Sequence, residues 1–267
     1  MPDPNQLILD FDAHSPDQAS AQSDQLTPIQ PAGPIPFSIK VSVRARQVYL
    51  RAVPGRGLVV TIPKRFPKRE VPAIVESQRN WVEQALAELD AQVPEQFRHW
   101  PPRSLPLLAC DSTIVVEYLI PQGDYIQGRW QNESTLLIEA DQSDKEAVAW
   151  CVACALKDRA RQILGPWLAR LAVDHGFSYK RLMVRGQRSV WGSYSSSGTL
   201  SLNYKLLFLS PQLVNYVLLH ELAHTKHLDH SAAFWNLLDQ QIPGARGIDR
   251  QLRTAGNLVP PWLELAR

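Results

Sequence analysis

Cysteine is scarce in this chain: three residues among 267, at Cys110, Cys151 and Cys154. So small and odd a set excludes a disulfide framework. Cys151 and Cys154 form a CxxC, but no second pair accompanies them. The stretch from Ala147 to Leu156 is apolar and helix-like, so both read as small core residues. Long hydrophobic runs are also missing. The longest nearly apolar run is about ten residues, against the roughly 20 that a membrane-spanning helix needs. Residues 1–36 contain no Lys or Arg, which excludes the basic start of a secretory signal. A cytoplasmic protein with no membrane partner is expected. The same 36 residues have one aromatic, Phe11, beside seven prolines and five aspartates. They bury too little to offset the entropy of ordering, so a disordered tail is expected there. Residues 37–69 lack Asp and Glu altogether and carry nine Lys/Arg. Such a run suits either the solvated face of a sheet or contact with phosphate groups and nucleic acid.

What is present is enough for a folded enzyme. Hydrophobic residues make up 45% of the chain, the proportion of an ordinary globular core. Residues 38–62 alternate in strand fashion through Ile39, Val41, Val43, Val48, Leu50, Leu58, Val60 and Ile62, with a turn at Pro54-Gly55-Arg56-Gly57. Val71 to Leu89 has helical spacing, and Pro94 to Pro106 is a Pro-rich connector. Residues 107–140 suggest further strands. Residues 145–175 suggest a long helix, disturbed at Gly165-Pro166 and ended at Gly176. Leu182 to Val190 and Leu200 to Leu207 are predicted strands joined through Ser195–Gly198. A helix begins at Ser210 and Pro211 and runs to about Leu228, and another covers Ser231 to Gln241. The resulting scheme is α+β. The tail at 1–36 is followed by a β-rich subdomain with one helix at 37–142 and a helical metal-binding subdomain at 143–267.

The chemistry concentrates in Tyr216-Val-Leu-Leu-His220-Glu221-Leu-Ala-His224-Thr-Lys-His227-Leu-Asp-His230. The motif is HExxH on a strongly predicted helix. Histidines at i and i+4 differ by about 40° around the axis and about 6 Å along it, so both imidazoles can reach one ion. Glu221 projects beside them, placed to accept a proton from water rather than to bind metal. The helix is apolar on nearly every side, through Leu213, Val214, Val217, Leu218, Leu219, Leu222 and Ala223, and so is expected to be buried. Two His and a Glu inside such a helix are costly unless a cation compensates them. A third ligand is required. His230 can supply it if the helix ends near Leu228 and the chain turns back, with Asp229 or Ser231 capping a new helix. Asp239, Glu264 and His227 are the alternatives. Zinc is the expected ion for three His and one open position.

HELAHTKHLDHSAAFW, with the upstream RSVWGSYSSSGTLSLNYKLL, resembles the YgjP-like metallopeptidase family, a zincin-like group related in its motif to the SprT-like proteases. The likeness extends to KVSVRARQVYLRAV, LVVTIPKRF and RNWVEQAL, and covers about residues 37–245. The resemblance implies zinc bound by His220, His224 and His230, with Glu221 as catalytic carboxylate. It also implies a zincin-like α+β fold in which a hairpin of residues 182–204 lies beside the active-site helix and offers an edge strand to substrate. The family's WGSC is Trp191-Gly192-Ser193-Tyr194 here, so any role of that cysteine is absent. Tyr194 could pack, or could donate to a developing oxyanion.

Other residues are weaker candidates. Arg185 and Arg188 could clamp a carboxylate or phosphate, or be exposed charges. Asn203 could hold a backbone near the site or satisfy a turn. Gln6-Leu7-Ile8-Leu9-Asp10-Phe11 resembles the QLxLxF peptides that bind the bacterial sliding clamp. The expectation is a zinc-dependent peptidase. One alternative is a nucleoside triphosphate pyrophosphohydrolase on the same metal. The other is a DNA-associated binding protein with a structural zinc.

Overall fold

The computed structural model of the chain describes residues 6–9, 33–53, 57–121, 123, 125–187 and 190–266. The protein is of mixed α and β structure, with three small sheets and six α-helices among the described residues. It divides into two compact units between Gln92 and Val93.

The first unit holds strands β1 (Gln6–Leu9), β2 (Phe37–Ser42), β3 (Val48–Val53) and β4 (Gly57–Pro63), and helices α1 (Val71–Ser77) and α2 (Arg79–Gln92). The strand order is β1-β3-β4-β2. The alternation seen in the sequence sorts the side chains by face. Val48, Leu50, Leu58, Val60 and Ile62 point to a core shared with Val71, Ile74, Val75 and Val82 of the helices. β1 departs from the sequence reading, since residues 6–9 were expected in a disordered tail. They pair antiparallel with β3, and Leu7 packs against the core. The backbone bonds and this one apolar anchor supply what composition alone does not. The remainder of the expected tail up to residue 32, including Asp10 and Phe11 of the clamp-like segment, lies outside the described residues. So do residues 54–56 of the expected turn.

The second unit continues with β5 (Ser104–Leu107), β6 (Ser112–Leu119), β7 (Gln127–Trp130), β8 (Thr135–Glu139), α3 (Lys145–Asp174), β9 (Arg181–Arg185), β10 (Gly192–Tyr194), β11 (Thr199–Asn203), α4 (Pro211–Ala223), α5 (Ala232–Gln241) and α6 (Ala245–Leu252). The sheet β5-β6-β8-β7 packs on α3. Leu105, Ile114, Val116, Leu136 and Ile138 share one core with Val148, Val152 and Leu156. That shared core places the division at residue 92, where the sequence reading puts its subdomain boundary at 142. α3 is capped by the Asp144 carboxylate, which accepts from the Ala147 amide at 2.9 Å. The helix is continuous through Pro166. Pro166 cannot donate to the carbonyl one turn back, but burial along the helix outweighs one missing bond.

β9 to β11 depart from the expected hairpin of residues 182–204. The order is β10-β11-β9, with β11 antiparallel to β10 and parallel to β9. Only β10 and β11 form the hairpin, and β10 is an edge strand packed beside α4. Among the described residues, no helix is long and apolar enough to cross a membrane.

Gly128 fixes how closely β7 lies on α3. A Cβ there would meet the Cys151 carbonyl oxygen at 2.8 Å, a backbone atom that cannot swing aside. Gly128→Ala is therefore expected to destabilise the protein by about 1–3 kcal/mol. A lower urea midpoint with an unchanged m value would show it.

Candidate metal centre

α4 starts where its sequence signals place it. The Ser210 hydroxyl accepts from the Leu213 amide, and Pro211 occupies the first turn. The helix is buried through Leu213, Val214, Val217, Leu218, Leu219, Leu222 and Ala223. It is shorter than expected, closing at Ala223 rather than near Leu228. The next residues tighten into turns, with Thr225 bonding back to Leu222 and Lys226 to Ala223, both at 3.0 Å. Asp229 then accepts from the Ser231 amide, and α5 begins at Ala232. This reversal returns His230 to the motif helix.

His220, His224 and His230 converge, each offering one ring nitrogen, with these atoms within 4.8 Å of one another. The Nε2 atoms of His220 and His230 lie 3.0 Å apart. Two nitrogens bound tetrahedrally to one zinc at about 2.05 Å would lie roughly 3.3 Å apart. The donor set therefore fits a divalent ion. Phe234 is the floor of the cluster, fully buried and in contact with all three rings. Its centroid is 5.0 Å from that of His220, 4.6 Å from His224 and 4.8 Å from His230. Burial pushes His220 down to about 4, helped by the other two imidazoles. Burial also lowers His224. Both are thus kept as neutral lone-pair donors, the form a metal ligand needs. His224 Nδ1 lies 2.9 Å from the His227 carbonyl oxygen. An N–H donated there leaves Nε2 free to face the cluster.

The other ligand candidates are engaged elsewhere. Asp239 accepts from the Gly244 and Ala245 amides. Glu264 pairs with Lys205, and His227 contributes its backbone carbonyl rather than its ring.

Glu221 is 5% exposed, and its Oε2 has no hydrogen-bond partner among the described residues. Burial raises its carboxyl to about 8. A buried carboxylate oxygen without a protein partner marks a place for a water, an ion or a substrate group. The carboxyl and all three imidazoles line a cleft of about 460 Å³, walled also by Trp191, Tyr194, Leu228 and Leu252. Gly192 on β10 makes room for the glutamate. A Cβ there would lie 2.6 Å from Glu221 Cγ and 2.7 Å from Oε1.

Of the weaker candidates, Tyr194 lines the cleft. Asn203 does not reach it as a free group. Its amide donates to the Gln187 and Val190 carbonyls at 2.7 and 3.0 Å, and its oxygen accepts from the Lys205 amide. It ties β11 to Gln187 and Val190, which lie between β9 and β10. Arg185 is exposed on β9, and Arg188 lies outside the described residues. Sequence reasoning missed Gly192, Phe234, Tyr216 and Asp249. Tyr216 could have been found one turn before His220; Asp249 carries no signal at that separation.

A family model described as the YgjP-like metallopeptidase domain matches residues 46–255. Among solved structures, the chain is similar to the metallopeptidase zymogen of Pyrococcus abyssi abylysin. That likeness has 27% identity over 34% of this chain and 91% of that one, with a TM-score of 0.31. It is similar also to the metallopeptidase zymogen of Methanocaldococcus jannaschii jannalysin, with 21% identity over 34% and 93% and a TM-score of 0.30. No curated protein matches the chain.

Because Phe234 contacts all three imidazoles, Phe234→Ala should cost about 3–5 kcal/mol of stability, more than an ordinary aliphatic truncation. Chemical denaturation of the metal-free protein measures it, and a loss below about 1 kcal/mol would deny the ring its structural role.

Proposed function

The chain belongs to the YgjP-like metallopeptidase family, and from that membership we propose that it hydrolyses peptide bonds with one zinc ion held by His220, His224 and His230. The observation that carries this reading is the convergence of the three imidazoles beside the buried Glu221, whose Oε2 has no partner among the described residues. Structural zinc sites are closed by four protein ligands, whereas catalytic ones keep a corner open. Three ligands at the wall of an open cleft suit the second kind.

When bound, the ion supplies Lewis acidity and a positive charge that favours the ionised form of Glu221. Glu221 Oε2 accepts a proton from the attacking water as its oxygen bonds to the scissile carbonyl carbon. The same oxygen then delivers that proton to the departing amine nitrogen as the C–N bond breaks. Gly192 keeps the carboxyl at its depth by presenting no Cβ. Among the described residues β10 is an edge strand with no neighbour on its outer side, which suits an extended peptide better than a compact nucleotide.

Purified protein should bind one equivalent of zinc, and His230→Ala should bind it much more weakly. Glu221→Gln should retain zinc yet lose about 10²–10⁴-fold in peptide hydrolysis. Full activity in that variant would sink the general-base role, and cleavage of nucleoside triphosphates without any proteolysis would redirect the substrate. Gly192→Ala should displace the glutamate, because the added Cβ would press on its side chain from Cγ to Oε1 and on no backbone atom among the three nearest. A loss of about 10²-fold in kcat with zinc affinity unchanged is expected.

A further inference from the structure

We infer that Tyr216 and Asp249 are positioning residues, forming a relay that fixes the ring tautomer of His220. The inference rests on the three-histidine reading above. His220 turns Nε2 toward His230 and leaves Nδ1 on the opposite side, 3.4 Å from the Tyr216 hydroxyl. That hydroxyl lies 3.1 Å from Asp249 Oδ1 on α6. The other carboxylate oxygen of Asp249 faces Arg253 at 3.7 Å.

The direction of each bond follows from what each group can do. A carboxylate only accepts, so the phenol proton goes to Asp249. The phenol's lone pairs then face Nδ1, and the matching imidazole tautomer carries its proton there. Nε2 is left with a lone pair directed at the other two rings. Without Asp249, the phenol can rotate and donate to Nδ1 instead. That stabilises the opposite tautomer, with a proton on Nε2 where a cation would have to bind. His224 reaches the same end by another route, through the His227 carbonyl. The two histidines of the motif helix are thus oriented by partners from different segments. His230 has exposed surroundings, and its ring nitrogen is placed by the chain reversal.

The relay also explains a burial. Tyr216 is 1% exposed, and its pKa is raised by burial first and by the neighbouring Asp249 charge second. A phenol so placed needs one acceptor only. Its second contact, to the imidazole, is surplus to satisfaction and is where the positioning acts.

The test uses the full chain as wild type, Tyr216→Phe, Asp249→Ala and the double variant. Zinc affinity is measured by chelator competition, and the His220 tautomer by long-range ¹⁵N–¹H spectra of the metal-free protein. Each single variant should weaken zinc binding about 10- to 100-fold. The double variant should be no weaker than the worse single one, because one chain of bonds is broken in each case. The wild-type ring should carry its proton on Nδ1, and Asp249→Ala should shift it toward Nε2. Asp249 is partly exposed, so that variant keeps the test intact if Tyr216→Phe unfolds. An unchanged tautomer in Asp249→Ala, with zinc affinity within twofold of wild type, would overturn the relay. If the wild type takes up no zinc, the metal reading fails, and the tautomer spectra alone decide the relay: a wild-type proton on Nε2 overturns it.

Discussion

Three imidazoles stand around one phenyl ring, and much of the second unit is arranged so that they can. Like-charged rings with centroids about 5 Å apart could not all be protonated. Burial settles the matter for His220 and lowers His224 by drawing them into an apolar helix. The arrangement has a cost that shows on its neighbour. Glu221 shares that low-polarity setting and becomes reluctant to ionise. A dication would reverse this, stabilising lone pairs and carboxylate together. His220 and His224 are therefore neutral donors beside an acid, poised for the same charge.

The elements around the cluster hold it from different directions. α4 and its C-cap residue give two rings, the turn after it gives a carbonyl, and α5 gives the phenyl floor. β10 approaches from the other side, close enough that only a glycine fits against the glutamate. Because these contributions come from segments far apart in sequence, the geometry belongs to the packed unit rather than to the motif helix alone.

The sequence revealed those features whose causes are local. Ser210 and Pro211 mark the start of α4, and the i, i+4 spacing puts His220 and His224 on one face. His230 was legible through the restart at Asp229–Ser231, although α4 itself stops earlier than its apolar pattern suggests. Periodicity continues past Ala223, but the backbone turns to bring a distant ring home. Features set by non-local pairing were not legible. Strand propensity identified β9 and β11 but not the short β10, and no local rule says that β11 lies between the other two. Asn203 illustrates the difficulty: the sequence left it between holding a backbone near the site and satisfying a turn, and its amide goes to the Gln187 and Val190 carbonyls. β1 is the opposite case, a short run of three apolar residues in a polar, proline-rich stretch, and it pairs with the available edge at β3.

Lys205 and Glu264 illustrate how separated parts of the chain are joined. The ammonium is almost wholly buried, and its partner arrives 59 residues later. Until that carboxylate is in place, burying Lys205 would strand a charge in the interior, at a cost of several kcal/mol. The C-terminal segment that carries Glu264 is thereby tied to the stretch that links β11 to α4, for without its carboxylate that stretch would hold a charge the interior cannot solvate.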